Sequence, residues 1–219
     1  MSIQDIIAQL GQGMLTSVLI YALTLIGAVP LALPLALARG GKSKIARLLT
    51  GAYISFMRGT PLMLQLIIIY YGPGLLLQTN IWGTGSNGRM IATLVAFIIN
   101  YACYFSEIYR GGIESIPKGQ FEAGQVLGMT KKQIFFKVVL LQVVKRIVPP
   151  ISNEVITLVK DTSLSRIIAI QEIIYFGERF IKNGGLLWPL LFTGVFYLAF
   201  SGILTLIFGR IEKKLAYFK

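Results

Sequence analysis

Between Met14 and Ala38 the chain runs without a single charged residue. At about 1.5 Å of rise per residue, a helix over that stretch outreaches the roughly 30 Å hydrocarbon core of a bilayer. It is a candidate spanning helix. The run is too long for the core of a signal peptide and has no basic leader, and positions 40–47 follow it without a small-residue cleavage pattern, so it is expected to remain in the mature protein. The composition agrees: 55% of the chain is apolar and only 14% charged, with a mean hydropathy of +0.71. A soluble domain of this length could not hide that balance in one core. The solvent for this chain is lipid.

A formal charge of +12 would suit nucleic acid if the cations shared a soluble face. Instead they sit in short stretches between apolar runs, which argues for topology and against a nucleic-acid partner. The chain has one cysteine, Cys103, and no histidine. That excludes a disulfide framework or thiolate metal site within one chain, and the usual zinc and imidazole acid-base chemistry. No metal site is expected.

Four apolar segments follow the first: about 48–76, 90–109, a stretch somewhere within 134–170, and 184–208. The reading is an all-α integral membrane protein of about five transmembrane helices, a single transmembrane domain over 1–219. Arg58-Gly59-Thr60-Pro61 interrupts the second segment, where Pro61 costs a hydrogen bond; a short surface helix followed by a membrane helix is expected. In the fourth segment Lys145, Arg146, Pro149, Pro150, Glu154, Lys160 and Asp161 break the run, and the preferred span begins near Pro150 and ends near Ile170. Gly27, Gly194 and Gly202 read as close-packing sites between helices.

Orientation follows from the cations, since short loops rich in Lys and Arg stay in the cytoplasm. Arg39, Lys42, Lys44 and Arg47 mark the first loop as internal. Arg110, Lys118, Lys131, Lys132 and Lys137 do the same for the third, and Arg210, Lys213, Lys214 and Lys219 for the tail. The N-terminus, the loop at 78–89 and the mixed segment at 172–182 belong outside, so the C-terminus is cytoplasmic.

The third loop, about 117–133, is the most informative. Pro117 to Gly128 reads as a short amphipathic helix ended by glycine, and Thr130 with Gln133 fits a capping box that starts the next helix. Phe121 and Leu127 offer apolar contacts, Ala123 and Gly124 allow close approach, and Glu122 presents a carboxylate. Such an element is either a docking knob for a cytoplasmic partner or a helix lying among lipid headgroups.

Charged residues deep in the membrane cost about 2.5–3.5 kcal/mol each on insertion scales, so they need water, partners or a ligand. Lys160 with the hydroxyls of Thr162 and Ser163 suits a carboxylate, while Asp161, Glu154 or Glu107 suits an ammonium or a basic side chain. The alternative is ion pairs that lock neighbouring helices. Asn100 and Tyr104 carry the same ambiguity, and interhelical hydrogen bonding is their favoured role. The break at Arg58–Pro61 is read as structural.

Glu122-Ala123-Gly124 with Gly128 after it resembles the EAA loop of ATP-binding cassette import permeases. Four further stretches, in order, resemble the polar amino acid branch of that family. They are Arg58-Gly59-Thr60-Pro61-Leu62 with Gln65; Tyr104, Glu107, Arg110, Gly112 and Ile113; Pro149-Pro150 with Asn153-Glu154; and Lys160-Asp161-Thr162-Ser163-Leu164. Gly124 stands where the pattern most often has alanine, which weakens the helix by roughly 1 kcal/mol. Leu141 stands where relatives commonly have proline, so the segment 134–148 is expected to run straighter than theirs.

The resemblance implies a multi-pass permease of the bacterial inner membrane that imports polar amino acids. It implies a cytoplasmic coupling helix carrying Glu122, Ala123, Gly124 and Gly128, and substrate contacts among Lys160, Asp161, Thr162, Ser163, Glu154, Glu107 and Asn100. Its partners would be ATP-binding cassette ATPase subunits, a second permease chain (identical or a sister) and an external amino acid-binding protein. No phosphate-binding loop G-x-x-x-x-G-K-[ST] occurs in the chain, so ATP and Mg belong to the ATPase and the permease is not an enzyme. A secondary transporter or channel would use intramembrane charge similarly but would not need a docking loop. An intramembrane serine-lysine enzyme at Lys160, Asp161 and Ser163 lacks a supporting nucleophile elbow.

Overall fold

The structure, a computed structural model, describes residues 2–79, 81–83 and 85–216. Among them all regular structure is helical. The first helix, α1 (Ile3–Gly40), begins at a capping box: the Asp5 amide donates to the Ser2 hydroxyl at 3.2 Å and the Ser2 amide to the Asp5 carboxylate at 3.0 Å. These bonds satisfy two donors that a first turn leaves open, so the helix starts well before the apolar run. Ile20, Thr24, Ala28, Ala32 and Ala36 form one buried stripe, while Leu15, Leu19, Ile26 and Leu33 remain exposed. A helix apolar on its exposed side as well is one solvated by lipid. The alanines let α4 (Ser86–Glu114) lie against α1. A Cβ on Gly27 would come within 2.5 Å of Ile98, so that glycine is a close-packing site.

Helices α2 (Lys44–Gly59) and α3 (Leu62–Leu77) meet at a bend of 103°. Pro61 has no amide proton and Thr60 is extended, so the helical ladder stops there. Side chains take up the freed carbonyls. Gln65 Nε2 donates to the carbonyls of Met57 at 2.7 Å and Thr60 at 3.1 Å, and the Thr60 hydroxyl donates to Phe56 at 2.9 Å. From the middle of α4, Asn100 Nδ2 donates to Gln65 Oε1 at 2.9 Å and to the Met57 carbonyl at 3.3 Å. The break expected at Arg58–Pro61 is present, and its neighbours close it.

After α4 come α5 (Lys118–Val126) and the single turn α6 (Lys131–Ile134). Gly128 sits between them at φ +69°, a left-handed conformation that suits a residue without Cβ. The expected capping box forms: the Thr130 amide donates to Gln133 Oε1 at 2.8 Å and the Gln133 amide to the Thr130 hydroxyl at 3.3 Å. From α6 the chain passes directly into a π-helical turn, Phe135–Val139, and then into α7 (Leu140–Asp161), which tightens to a 3-10 segment, Thr162–Ile168.

This differs from a helix beginning near Pro150, because Pro149 and Pro150 both lie inside α7. Each proline withdraws one amide donor, but the rest of the ladder holds, and the Ser152 hydroxyl bonds the Pro149 carbonyl at 2.7 Å. The segment 134–148 is helical throughout, with the π turn as its irregularity.

Glu172 then caps α8 (Ile173–Gly184), its carboxylate accepting the amides of Ile174 at 2.9 Å and Tyr175 at 2.7 Å. The last helix, α9 (Trp188–Leu215), lies at the periphery. A Cβ on Gly194 or Gly202 would meet nothing within 4 Å, so the packing role expected of these two is not found within the chain. Three helices, α1, α4 and α9, are long and apolar enough to cross a membrane, and α2 with α3 makes a fourth if the bent pair is one span. The charges along α7 keep it below that measure. The core lies where α1, α4 and α7 meet, around Ile20, Ala28, Phe97, Tyr101, Phe105 and Leu158. Lys219 of the basic tail, and Asn80 and Thr84 of the loop 78–89, lie outside the described residues.

Candidate functional site

A cavity of about 520 Å³ opens between the α2–α3 bend, the middle of α4 and the end of α7. Its polar lining is Arg58 and Thr60 from the bend, Asn100, Tyr101 and Tyr104 from α4, and Glu154, Thr157 and Asp161 from α7. The helix break forms one wall of it, since Arg58 to Leu62 all line the cavity.

Fixed contacts hold much of this lining. The Tyr101 hydroxyl donates to Asp161 Oδ2 at 2.7 Å, and Tyr101 itself is buried in the core. The Arg58 guanidinium lies 5.1 Å from the centre of the Tyr104 ring, a cation–π contact, and the Tyr104 hydroxyl donates back to the Arg58 carbonyl at 3.4 Å. Asn100 is occupied by Gln65 and Met57, so it shapes the wall, in the interhelical role favoured for it. Glu154 and Asp161 sit about two turns apart on one face of α7. Among the described residues neither carboxylate forms a salt bridge. Charges of both signs thus line one open space beside the α2–α3 bend.

Of the residues singled out from the sequence, Asn100, Glu154 and Asp161 come together here. Tyr104, singled out with Asn100, lines it too, whereas the other expected substrate contacts lie elsewhere. Lys160 is exposed and is not part of the lining. The Thr162 hydroxyl is buried and donates to the Val159 carbonyl at 2.7 Å, while that of Ser163 donates to the Lys160 carbonyl at 2.7 Å. Both serve the tightening from α-helix to 3-10 turn. Glu107 is engaged by Arg110 at 2.6 Å and Arg39 at 3.8 Å, joining the ends of α4 and α1. The cavity's cation is Arg58, which sequence reasoning assigned to the helix break alone. Tyr101, another lining residue, gave no signal beyond its place one helical turn before Tyr104.

The second candidate region is α5. Glu122 and Ala123 are exposed, as are Val126 (88%) and Leu127 (77%), whereas Phe121 turns inward to Ile116, Ile134, Val139 and Val143. Gly124 is buried, and a Cβ there would lie 2.7 Å from Ile134 Cγ1. The glycine that replaces the usual alanine makes room for that isoleucine. Gln142 donates to Gln120 at 3.2 Å and the Arg146 guanidinium to the Ser115 carbonyl, so α7 is tied to both α5 and the end of α4. Among the described residues no group of three or more His, Cys, Asp or Glu is placed to hold a metal ion.

Residues 28–217 match the family described as binding-protein-dependent transport system inner membrane component. The chain is 42% identical over 143 residues to the L-cystine transport system permease protein TcyB of Bacillus subtilis, an alignment covering 65% of this chain and 58% of that protein. It is 31% identical over 220 residues to the arginine ABC transporter permease protein ArtM of Haemophilus influenzae, covering 99% of this chain and 96% of that one. Among solved structures, a chain from the crystal structure of an amino acid ABC transporter with histidines superposes with a TM-score of 0.86 at 25% identity, covering 97% of each chain. A chain of the MetNI methionine ABC transporter, in inward-facing conformations, gives 0.75 at 19% identity, over 99% of this chain and 100% of that one.

Proposed function

The chain belongs to the inner-membrane component family of binding-protein-dependent transport systems, and from that premise we propose that it is the permease of an ATP-driven importer of polar amino acids. It is a multi-pass protein of the bacterial inner membrane, and the ATPase of such a system is a separate subunit. The observation that carries the substrate reading is the cavity that Arg58, Asp161 and Glu154 line together. An amino acid main chain is a zwitterion, and a site with one guanidinium and a carboxylate held by Tyr101 complements it. The permeases named for cystine and arginine among the relatives support an amino acid as cargo.

In this reading the chain acts as one membrane domain of about five crossings, with α7 supplying the crossing that its charges conceal. The N-terminus faces outward and the C-terminus the cytoplasm, in keeping with the basic loops. The segment 117–133 is the coupling loop, and the exposed Glu122, Ala123, Val126 and Leu127 form its contact with an ATP-binding cassette subunit. Gly124 and Gly128 serve that contact from behind, one by packing on Ile134 and the other by turning the chain. Two permease chains, identical or sister, flank one path beneath an external amino acid-binding protein, and two ATPase subunits, holding ATP and Mg, dock below.

Force passes along a short route. Closure of the ATPase pair displaces α5, which is packed against α6, the π turn and α7 by Ile116, Ile134, Val139 and Val143. Helix α7 carries Glu154 and Asp161, so movement at the docking loop reaches the cavity through one continuous helical run. The test is co-purification of the chain with an ATPase, followed by reconstitution. ATP-dependent amino acid uptake stimulated by a binding protein is the expected result, and uptake that proceeds without any ATPase would sink the proposal.

A further inference from the structure

The cavity contains one charge more than a zwitterion needs. Arg58 and Asp161 each have a fixed neighbour that orients them, the Tyr104 ring and the Tyr101 hydroxyl. Both line the cavity, and one cation with one anion matches the carboxylate and ammonium that every amino acid shares. Glu154 is different: it lines the same cavity, yet among the described residues it neither accepts a hydrogen bond nor forms a salt bridge. A carboxylate in such a setting is costly until something cationic meets it.

Resting on the importer reading, we propose that Glu154 is a specificity-determining residue, and that the site takes amino acids whose side chain ends in a cation. Glu154 precedes Asp161 by about two helical turns, or about 10 Å along α7. With the ammonium at Asp161, a long side chain laid past Thr157 brings its terminal charge to Glu154, which a short one does not reach. The sum of charges then closes: Arg58, Asp161 and Glu154 together carry one net negative charge, and a main-chain zwitterion with a cationic side chain cancels it. A neutral side chain leaves the cavity lining with one negative charge in excess, and an acidic one adds repulsion.

The test uses the full chain with its ATPase in nanodiscs, without the external binding protein, whose own selectivity would mask that of the cavity. Binding of radiolabelled L-arginine, L-lysine, L-glutamine and L-glutamate is measured for the natural chain and for Glu154→Gln and Asp161→Asn. The expected result is that arginine or lysine binds about ten-fold or more tightly than glutamine, and that Glu154→Gln abolishes the difference while glutamine binding persists. Persistent glutamine binding also shows that the variant is folded. Asp161→Asn weakens all ligands together. Equal or preferred binding of glutamine or glutamate by the natural chain overturns the proposal, as does a Glu154→Gln variant that weakens every ligand alike. If no amino acid binds but the reconstituted complex still imports one, the cavity is not the site and the proposal falls while the importer reading stands. If the complex moves no amino acid at all, the importer reading falls as well.

Discussion

Gln65 answers several demands with one amide. Its nitrogen serves the carbonyls of Met57 and Thr60, and its oxygen receives Asn100. Replacing it with leucine leaves the Thr60 carbonyl short of a donor and Asn100 short of its Gln65 acceptor in a setting where water is scarce. Gln65→Leu is therefore expected to destabilise the protein by about 1–3 kcal/mol. Asn100→Leu should cost less, about 1 kcal/mol, because Gln65 still reaches Met57. Thermal unfolding in a fixed detergent gives the order, and an Asn100→Leu variant less stable than Gln65→Leu would contradict it. At this scale the sequence marked Asn100, Glu154 and Asp161 because polar groups inside apolar runs are conspicuous. Lys160 stands outside the cavity lining, since adjacent residues on a helix point about 100° apart and cannot share a narrow face. Arg58 was hidden by its own neighbours: Gly59, Thr60 and Pro61 so plainly spell a helix break that the side chain at its edge drew no attention.

Among the elements, α5 and its turn were legible almost residue by residue, because caps and glycine turns are decided by local geometry. Which face of α5 turns inward was not legible, since that depends on Ile134 and Val139 arriving from the next helix. Two outcomes follow from that packing. Gly124→Ala improves intrinsic helix propensity by about 1 kcal/mol, but its Cβ would lie 2.7 Å from Ile134. The net expectation is a loss of thermal stability, and a gain would show that Ile134 yields freely. Glu122 is exposed and forms no salt bridge among the described residues, so Glu122→Lys should leave insertion and stability unchanged. It should lower ATP-driven uptake about ten-fold or more by reversing the charge offered to the ATPase, and undiminished uptake would remove Glu122 from the contact. The start of α7 escaped the sequence reading for a physical reason: hydropathy reports where a helix meets lipid, whereas the hydrogen-bond ladder continues through Lys145, Arg146 and both prolines.

For the whole molecule, apolar surface is the prevailing exterior. Leu191, Val195, Leu198, Ile203 and Leu206 of α9 are all exposed, which is stable only in a bilayer or against another apolar surface. The general architecture was readable from apolar runs and the distribution of cations, while the mutual placement of α2, α4 and α7 that creates the cavity was not, because no periodicity records long-range packing. Topology can be measured directly, since the single cysteine, Cys103, is buried. Glu122→Cys should react with a membrane-impermeant maleimide only when the cytoplasmic side is opened, and Ser86→Cys should react from outside in intact cells. The reverse pattern would invert the orientation and remove the docking loop from reach of any ATPase.

The bend between α2 and α3 is locked by a residue synthesised later. Asn100 follows Gln65 by 35 positions, so the ribosome has delivered both arms of the elbow well before their clasp emerges. In the nascent chain Gln65 must hold the corner unaided until α4 enters the bilayer beside it, which makes the arrival of α4 the moment when the cavity acquires its shape. Arrested chains whose emerged part stops short of Asn100 should accordingly be cut more readily by protease at the corner than chains from which all of α4 has emerged, and equal resistance would mean that the elbow sets without help.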